Sequence, residues 1–201
     1  MKVVLTGAAG VIGSAVREHL GAKYDFVSIT HRPARFPSVV ADIRHLDTIR
    51  PAFEGADAVV HLAASIDVTS PWDAVLNDNL IGTYNVYEAA RQAGLQAVVF
   101  ASSNHTIGGY ELDGAPAIYK LDDPRAYDHH AEIRPDSLYG VSKVYGEALG
   151  RYYHETYGLR AYNLRIGSVL AGAEPPAASV VESFWGGGLV GGPKYERVGA
   201  T

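Results

Sequence analysis

The chain has 201 residues, of which 47% are hydrophobic, enough for one α/β unit with a sizeable core. A formal net charge of −5 and the lack of any dense basic stretch give no footing for a nucleic-acid partner. With no cysteine, disulfides, thiol catalysis and cysteine–zinc sites are excluded.

Taken in chain order, short apolar runs alternate with longer segments of helical period. Residues 2–6 read as a buried strand. Val11, Ile12, Ala15, Val16, His19 and Leu20 then mark one helix face, which Gly21 ends. The opening apolar run is too short for a secretory signal, and no stretch approaches ~18 apolar residues, so a cytoplasmic chain with no membrane partner is expected. Residues 25–30 form a second strand, 38–41 a short third and 58–63 a fourth. A helix over 71–93 ends at Gly94 and precedes a strand at 97–102. Segment 111–136, with Pro116, Pro124 and Pro135, reads as a long polar connection. A helix over 137–157 ends at Gly158, and 159–166 is the last strand. The β-branched runs lack a period of two, so the expected fold is a doubly wound α/β parallel sheet with helices on both faces. The division expected is a dinucleotide-binding Rossmann domain over 1–170 and a glycine-rich segment over 171–201.

Three stretches carry chemistry. Gly7, Gly10 and Gly13, with Val11 and Ile12, lie between the first strand and the first helix. Glycines there allow a tight turn and close approach of backbone N–H groups to a pyrophosphate at a helix N-terminus. A residue reading the ribose belongs at the end of the second strand, where an acid favours NAD and an arginine NADP. Thr30, His31 and Arg32 stand there with no acid, which points to NADP. Tyr139 and Lys143, at i and i+4, share a helix face. The lysine charge is expected to lower the phenol pKa and make it a usable base. The polar cluster Ser102-Ser103-Asn104-His105 closes an otherwise apolar strand. The His129-His130 pair lacks ligand spacing, so no metal is assigned.

Together these stretches resemble the short-chain dehydrogenase/reductase superfamily, in its extended branch of NAD(P)-dependent sugar epimerases and dehydratases. The matching pieces are the Thr6–Gly13 loop, Asp42-Ile43, His61-Leu62-Ala63-Ala64, Asn79, Ser102-Ser103, Tyr139 with Lys143, and "LRIGS" at 164–168. "FASSNHTIGGY", "DSLYGVSK" and "LRIGS" look most like the uronate dehydrogenases. The resemblance implies NAD or NADP as cofactor and hydride transfer from a sugar hydroxyl, on a uronic acid or related aldose at C1. It makes Ser103, Tyr139, Lys143 and Asn79 the catalytic group. The cofactor would meet Gly7, Gly10, Val11, Ile12, Gly13, Thr30, His31, Arg32, Asp42, Ile43, Leu62, Ala63, Ala64, Ser102, Tyr139, Lys143 and Ile166. The sugar would meet Ser65, Ser103, Asn104, His105, Ser168 and Arg197. It also implies a homodimer built from the helices at 71–93 and 137–157. Relatives continue further, so the C-terminal substrate portion is expected to be reduced or missing. Two other readings stay open: a sugar-nucleotide epimerase or dehydratase that retains its cofactor, and a non-catalytic dinucleotide-binding regulator.

Overall fold

Six apolar runs become six parallel strands: β1 (Lys2–Thr6), β2 (Asp25–Thr30), β3 (Val39–Val40), β4 (Ala58–His61), β5 (Ala97–Ser103) and β6 (Arg160–Ile166). The computed structural model describes residues 1–120 and 122–169, so segment 171–201 and Arg197 lie outside the described residues. Every paired strand runs parallel, in the order β3-β2-β1-β4-β5-β6. The chain builds one half of the sheet outward from β1, then crosses back to lay β4 on its other side. That reversal opens a crevice at the carboxyl ends of β1 and β4, the place where open α/β sheets hold ligands. The fold is the doubly wound parallel sheet that the unalternating apolar runs foretell.

Helices α1 (Val11–Leu20), α2 (Leu46–Ile49), α3 (Trp72–Ala74), α4 (Gly82–Gln92), α5 (Gly109–Gly114) and α6 (Leu138–Tyr157) connect the strands. Four local features differ from the sequence expectation. Helix α2 runs into a 3-10 turn, Arg50–Phe53, in a stretch given no element above; Ile49 and Phe53 are fully buried and anchor it. The helix expected over 71–93 is interrupted by a π segment, Val75–Ile81, between α3 and α4. Strand β4 stops at His61, two residues early, because the N–H groups of Leu62 and Ala63 donate to the Thr6 hydroxyl, each at 3.2 Å. The connection at 111–136 holds the end of α5 and a 3-10 turn at Ala117–Tyr119.

The core packs Val4, Ile29, Val59 and Val98 of the sheet against Phe53, Val86, Tyr87 and Tyr153 of the helices. Burial of each large side chain contributes roughly 1.5–3 kcal/mol, so this one cluster carries most of the fold's stability. Helix α6 lies unusually near β5 at Gly146, where an added Cβ would stand 2.2 Å from Cζ of the buried Phe100 ring. That contact tests the packing. Alanine gains about 1 kcal/mol of helix propensity over glycine, but overpacking a rigid core costs about 1–3 kcal/mol or more. Gly146→Ala is therefore expected to lower the urea midpoint with an unchanged slope. A raised midpoint would mean that α6 and β5 are not in this contact.

Candidate active site

The loop from β1 to α1 is shaped by its glycines. Gly7 has φ +68°, a left-handed conformation open to glycine, and a Cβ there would come within 2.8 Å of the Ala63 nitrogen. A Cβ on Gly13 would meet the Gly7 carbonyl oxygen at 2.4 Å, so the first turn of α1 sits directly on the loop. Gly10 is less constrained, with the same oxygen at 3.3 Å, and its N–H is spent on that carbonyl. The N–H groups of Val11 and Ile12, in the first helical turn, have no partner within the helix. A cradle of backbone that any side chain would fill, ending at a positive helix terminus, fits a pyrophosphate. Leu62 and Ala63 close its other side.

Beneath this crevice lies a buried polar chain. Thr6 accepts the two N–H groups already named and donates its own proton to His61 Nδ1 at 2.8 Å. The Nε2–H of His61 is then directed to the Thr83 hydroxyl, at 3.2 Å. Burial, with a smaller push from the Lys143 charge, brings the His61 pKa down to about 3. His61 is thus a neutral tie between β1, β4 and α4. Asn79, in the π segment, is also committed: its Oδ1 accepts the Ser65 N–H at 2.7 Å, and its Nδ2 donates to the Ser65 carbonyl and the Ser142 hydroxyl. Ser142 in turn donates to the Tyr139 carbonyl at 2.7 Å. Asn79 therefore holds the Ser65 loop against α6.

Adjacent strand residues face opposite ways, and β5 uses this to divide its final serines. Ser102 donates to Glu147 at 2.5 Å, and Glu147 receives a two-pronged ion pair from Arg165, which makes Ser102 part of a brace between β5, α6 and β6. Ser103 donates to Asn104 Oδ1 and accepts the His105 N–H, each at 3.2 Å, and it stands near enough to the Tyr139 phenol to offset part of the effect of burial on it. Helix α6 starts at Ser137, whose hydroxyl accepts the Gly140 N–H at 3.0 Å, and its first turns carry Tyr139 and Lys143 to β5. Lys143 Nζ donates to the Ala101 carbonyl at 2.8 Å and lies 5.4 Å from the Tyr139 ring centroid.

The charges at this point correct the sequence expectation. Burial pushes the Tyr139 phenol up, and the Ser103 hydrogen bond offsets only part of it. Burial also brings Lys143 down to about 8. Asn104 and His105 follow Ser103 in a 3-10 turn, both nearly buried. Asn104 Nδ2 is a buried donor with no hydrogen-bond partner among the described residues. His105 meets Tyr139 edge-on, at 5.6 Å between centroids, and its Nδ1 pairs with Asp136 at 2.6 Å. It thus packs beside the crevice instead of away from it.

Other expected positions ring this centre. Thr30 is buried and donates to Ser38, while His31 and Arg32 are exposed at the end of β2. Asp42 is held by Arg44, whose guanidinium keeps its carboxyl below the usual range, and Ile43 packs on Gly82. Ala64 and Ser65 follow β4; Ile166 ends β6, and Ser168 is exposed beyond it. Among the described residues Asp128, His129 and His130 bring donor atoms within 4.8 Å of one another, all on exposed side chains. No helix is long and apolar enough to cross a membrane among the described residues. Sequence reasoning missed Thr6, Glu147 and Asp136. Only Asp136 left a signal, as an acid just ahead of the Ser137 cap of α6.

Comparison with known proteins agrees with this geometry. The model of the NAD dependent epimerase/dehydratase family matches residues 3–185. An L-arabinose 1-dehydrogenase (NAD(P)(+)) of Haloferax volcanii is 46% identical over 175 residues, covering 86% of this chain and 69% of that protein. A uronate dehydrogenase of Pseudomonas syringae is 35% identical over 174 residues, 83% of this chain but 59% of the relative, so this chain spans well under two thirds of that enzyme. The crystal structure of uronate dehydrogenase from Agrobacterium tumefaciens superposes with a TM-score of 0.71 at 33% identity, over 96% of this chain and 74% of that one.

The depressed Lys143 pKa has a measurable consequence. Its folded value, about 8, lies below the ordinary 10.5, so between them the unfolded state binds more protons. Stability gained from Lys143 therefore rises as pH climbs through that window, by up to ~3 kcal/mol. Urea titrations of the wild type and Lys143→Met are expected to show the wild type gaining on the variant between about pH 8 and about pH 10. A constant difference would mean that water reaches the ammonium.

Proposed function

The chain belongs to the NAD dependent epimerase/dehydratase family, and on that footing we propose that it oxidises the C1 hydroxyl of an aldose or uronic acid with NAD or NADP. The observation that carries this reading is the meeting of Ser103, Tyr139 and Lys143 at the carboxyl end of β5. The names of the relatives support the sugar and its C1 position. The glycine loop supports a dinucleotide, held by the backbone of Gly7, Gly10, Val11, Ile12 and Gly13 with Leu62, Ala63 and Ala64 opposite.

The nicotinamide, when bound, supplies the acceptor for the hydride released from C1. The chain's own residues manage the proton. Ser103 donates to or accepts from the sugar hydroxyl and fixes it within reach of the Tyr139 oxygen. Tyr139 takes the hydroxyl proton as the C1–H electron pair departs. Because burial holds the free phenol protonated, its own proton must first leave to solvent, and the Lys143 ammonium, 5.4 Å from the ring centroid, favours the phenolate that results. The protonated phenol is the competent acid for the reverse reaction, carbonyl reduction. Asn79 and Ser142 keep Tyr139 in register through its carbonyl. Asn104 Nδ2, buried with no partner among the described residues, supplies a donor to a neighbouring sugar oxygen.

Two finer points belong to the same reading. Arg32, exposed after β2 and in no ion pair among the described residues, supports NADP through a fork that matches a 2′-phosphate. Tyr84, Val141 and Tyr152, large exposed side chains on α4 and α6, support a homodimer through those helices.

Tyr139→Phe keeps the ring and removes the base. The variant is expected to lose kcat on aldoses and uronic acids by at least ~10²-fold with the NAD(P)H dissociation constant nearly unchanged. Stopped-flow and fluorescence titration check the two arms. A variant that retains most of its kcat would overturn the assignment of Tyr139.

A further inference from the structure

The stretch "SSNHTIGGY" places two glycines just beyond His105, and the fold explains them. The segment before α6 runs back alongside this turn: Arg134 N–H donates to the Thr106 carbonyl at 3.0 Å, and Gly109 N–H donates to the Arg134 carbonyl at 2.7 Å. This pairing brings the Asp136 carboxylate onto Gly108. A Cβ at Gly108 would stand 1.9 Å from Asp136 Oδ2, the same oxygen that pairs with His105 Nδ1 at 2.6 Å. The other oxygen, Oδ1, accepts the Ser137 hydroxyl at 2.8 Å. Gly108 has an ordinary right-handed helical φ and ψ, so space and not backbone conformation makes glycine necessary there.

A carboxylate only accepts hydrogen bonds. His105 Nδ1 must therefore carry the proton, which leaves Nε2 of the neutral ring as an acceptor. Nε2 has no hydrogen-bond partner among the described residues. On the preceding residue, Asn104 Nδ2 is a buried donor that also has none among them. We propose that Asp136 is a positioning residue that fixes the His105 tautomer, so that His105 accepts from one sugar hydroxyl while Asn104 donates to its neighbour. The pair reads adjacent hydroxyls by one acceptor and one donor, a pattern that a deoxy or O-methylated sugar cannot match. This rests on the sugar-oxidising reading above. The same logic holds in Ser-His-Asp hydrolases, where an aspartate selects the imidazole tautomer and its amide replaces it with the wrong one.

Two variants test this from opposite sides. Asp136→Asn preserves size, but its amide can donate to Nδ1 and move the ring proton to Nε2. Gly108→Ala leaves Asp136 intact and drives its carboxylate off His105. Both are expected to raise the sugar KM by ~10-fold or more, as unpaired polar groups in a site do. They should change kcat far less and leave the NAD(P)H dissociation constant alone. In protein labelled with 15N-histidine, the His105 ring should be Nδ1–H in the wild type and lose that preference in both variants. An unchanged KM in both, or a wild-type ring protonated at Nε2, overturns the proposal. A parallel fall in KM performance, kcat, cofactor binding and melting temperature would also overturn it, by showing a merely structural role. Should the wild type oxidise no sugar, the functional reading fails by itself, and the tautomer measurement still decides whether Asp136 orients His105.

Discussion

Helix α6 approaches β5 so nearly that only hydrogen fits between Gly146 and the Phe100 ring, and the site depends on that approach. One turn earlier on α6, Lys143 reaches the Ala101 carbonyl and is fixed there by burial. One turn earlier again, Tyr139 comes against Ser103 and His105. On the same face of the strand as Phe100, Glu147 joins Ser102 to Arg165 and ties β6 to the same helix. A rotation or shift of α6 would break all of these together. The desolvation of Lys143 and Tyr139 is part of the same constraint. For Lys143 it costs stability at neutral pH, and it places two titratable groups where their charge responds to whatever occupies the crevice.

The other half of the site is held by hydrogen bonds among buried side chains and backbone. The Leu62 N–H is shared between the Thr6 carbonyl and hydroxyl and the Ala63 N–H goes to the hydroxyl alone, so the chain leaves the sheet here, beside the backbone of the glycine loop. The π segment places Asn79 where one amide can bond both the Ser65 loop and Ser142. Such segments are frequent at functional sites because an extra residue in a turn re-aims the side chains around it. Here it joins the two sides of the crevice.

Much of this was legible in the sequence. The β1–loop–α1 unit was, because glycine spacing and apolar periodicity are local signals. So were the Tyr139 and Lys143 pair, one turn apart, and the polar end of β5. What stayed hidden depends on contacts between distant positions. Asp136 lies 31 residues from His105 and reveals its purpose only through the vacancy at Gly108. Ser102 and Ser103 look alike in sequence, and only the alternation of β5 against α6 sends one to Glu147 and the other to Tyr139. The phenol pKa was misjudged for the same reason: a neighbouring lysine is visible in the sequence, but the burial that outweighs it is not. Helix α5, glycine-rich and six residues long, has little propensity of its own and is held by its tertiary contacts, including the Tyr119 bond to Glu111.

The most direct test of the account follows a single atom. An aldose or uronic acid carrying deuterium at C1 is incubated with the chain and NAD or NADP, and the products are read by mass spectrometry and NMR. The account predicts one deuterium at C4 of the reduced nicotinamide for each lactone formed. Label retained in the sugar with inverted configuration, or reduced cofactor without label, would contradict it.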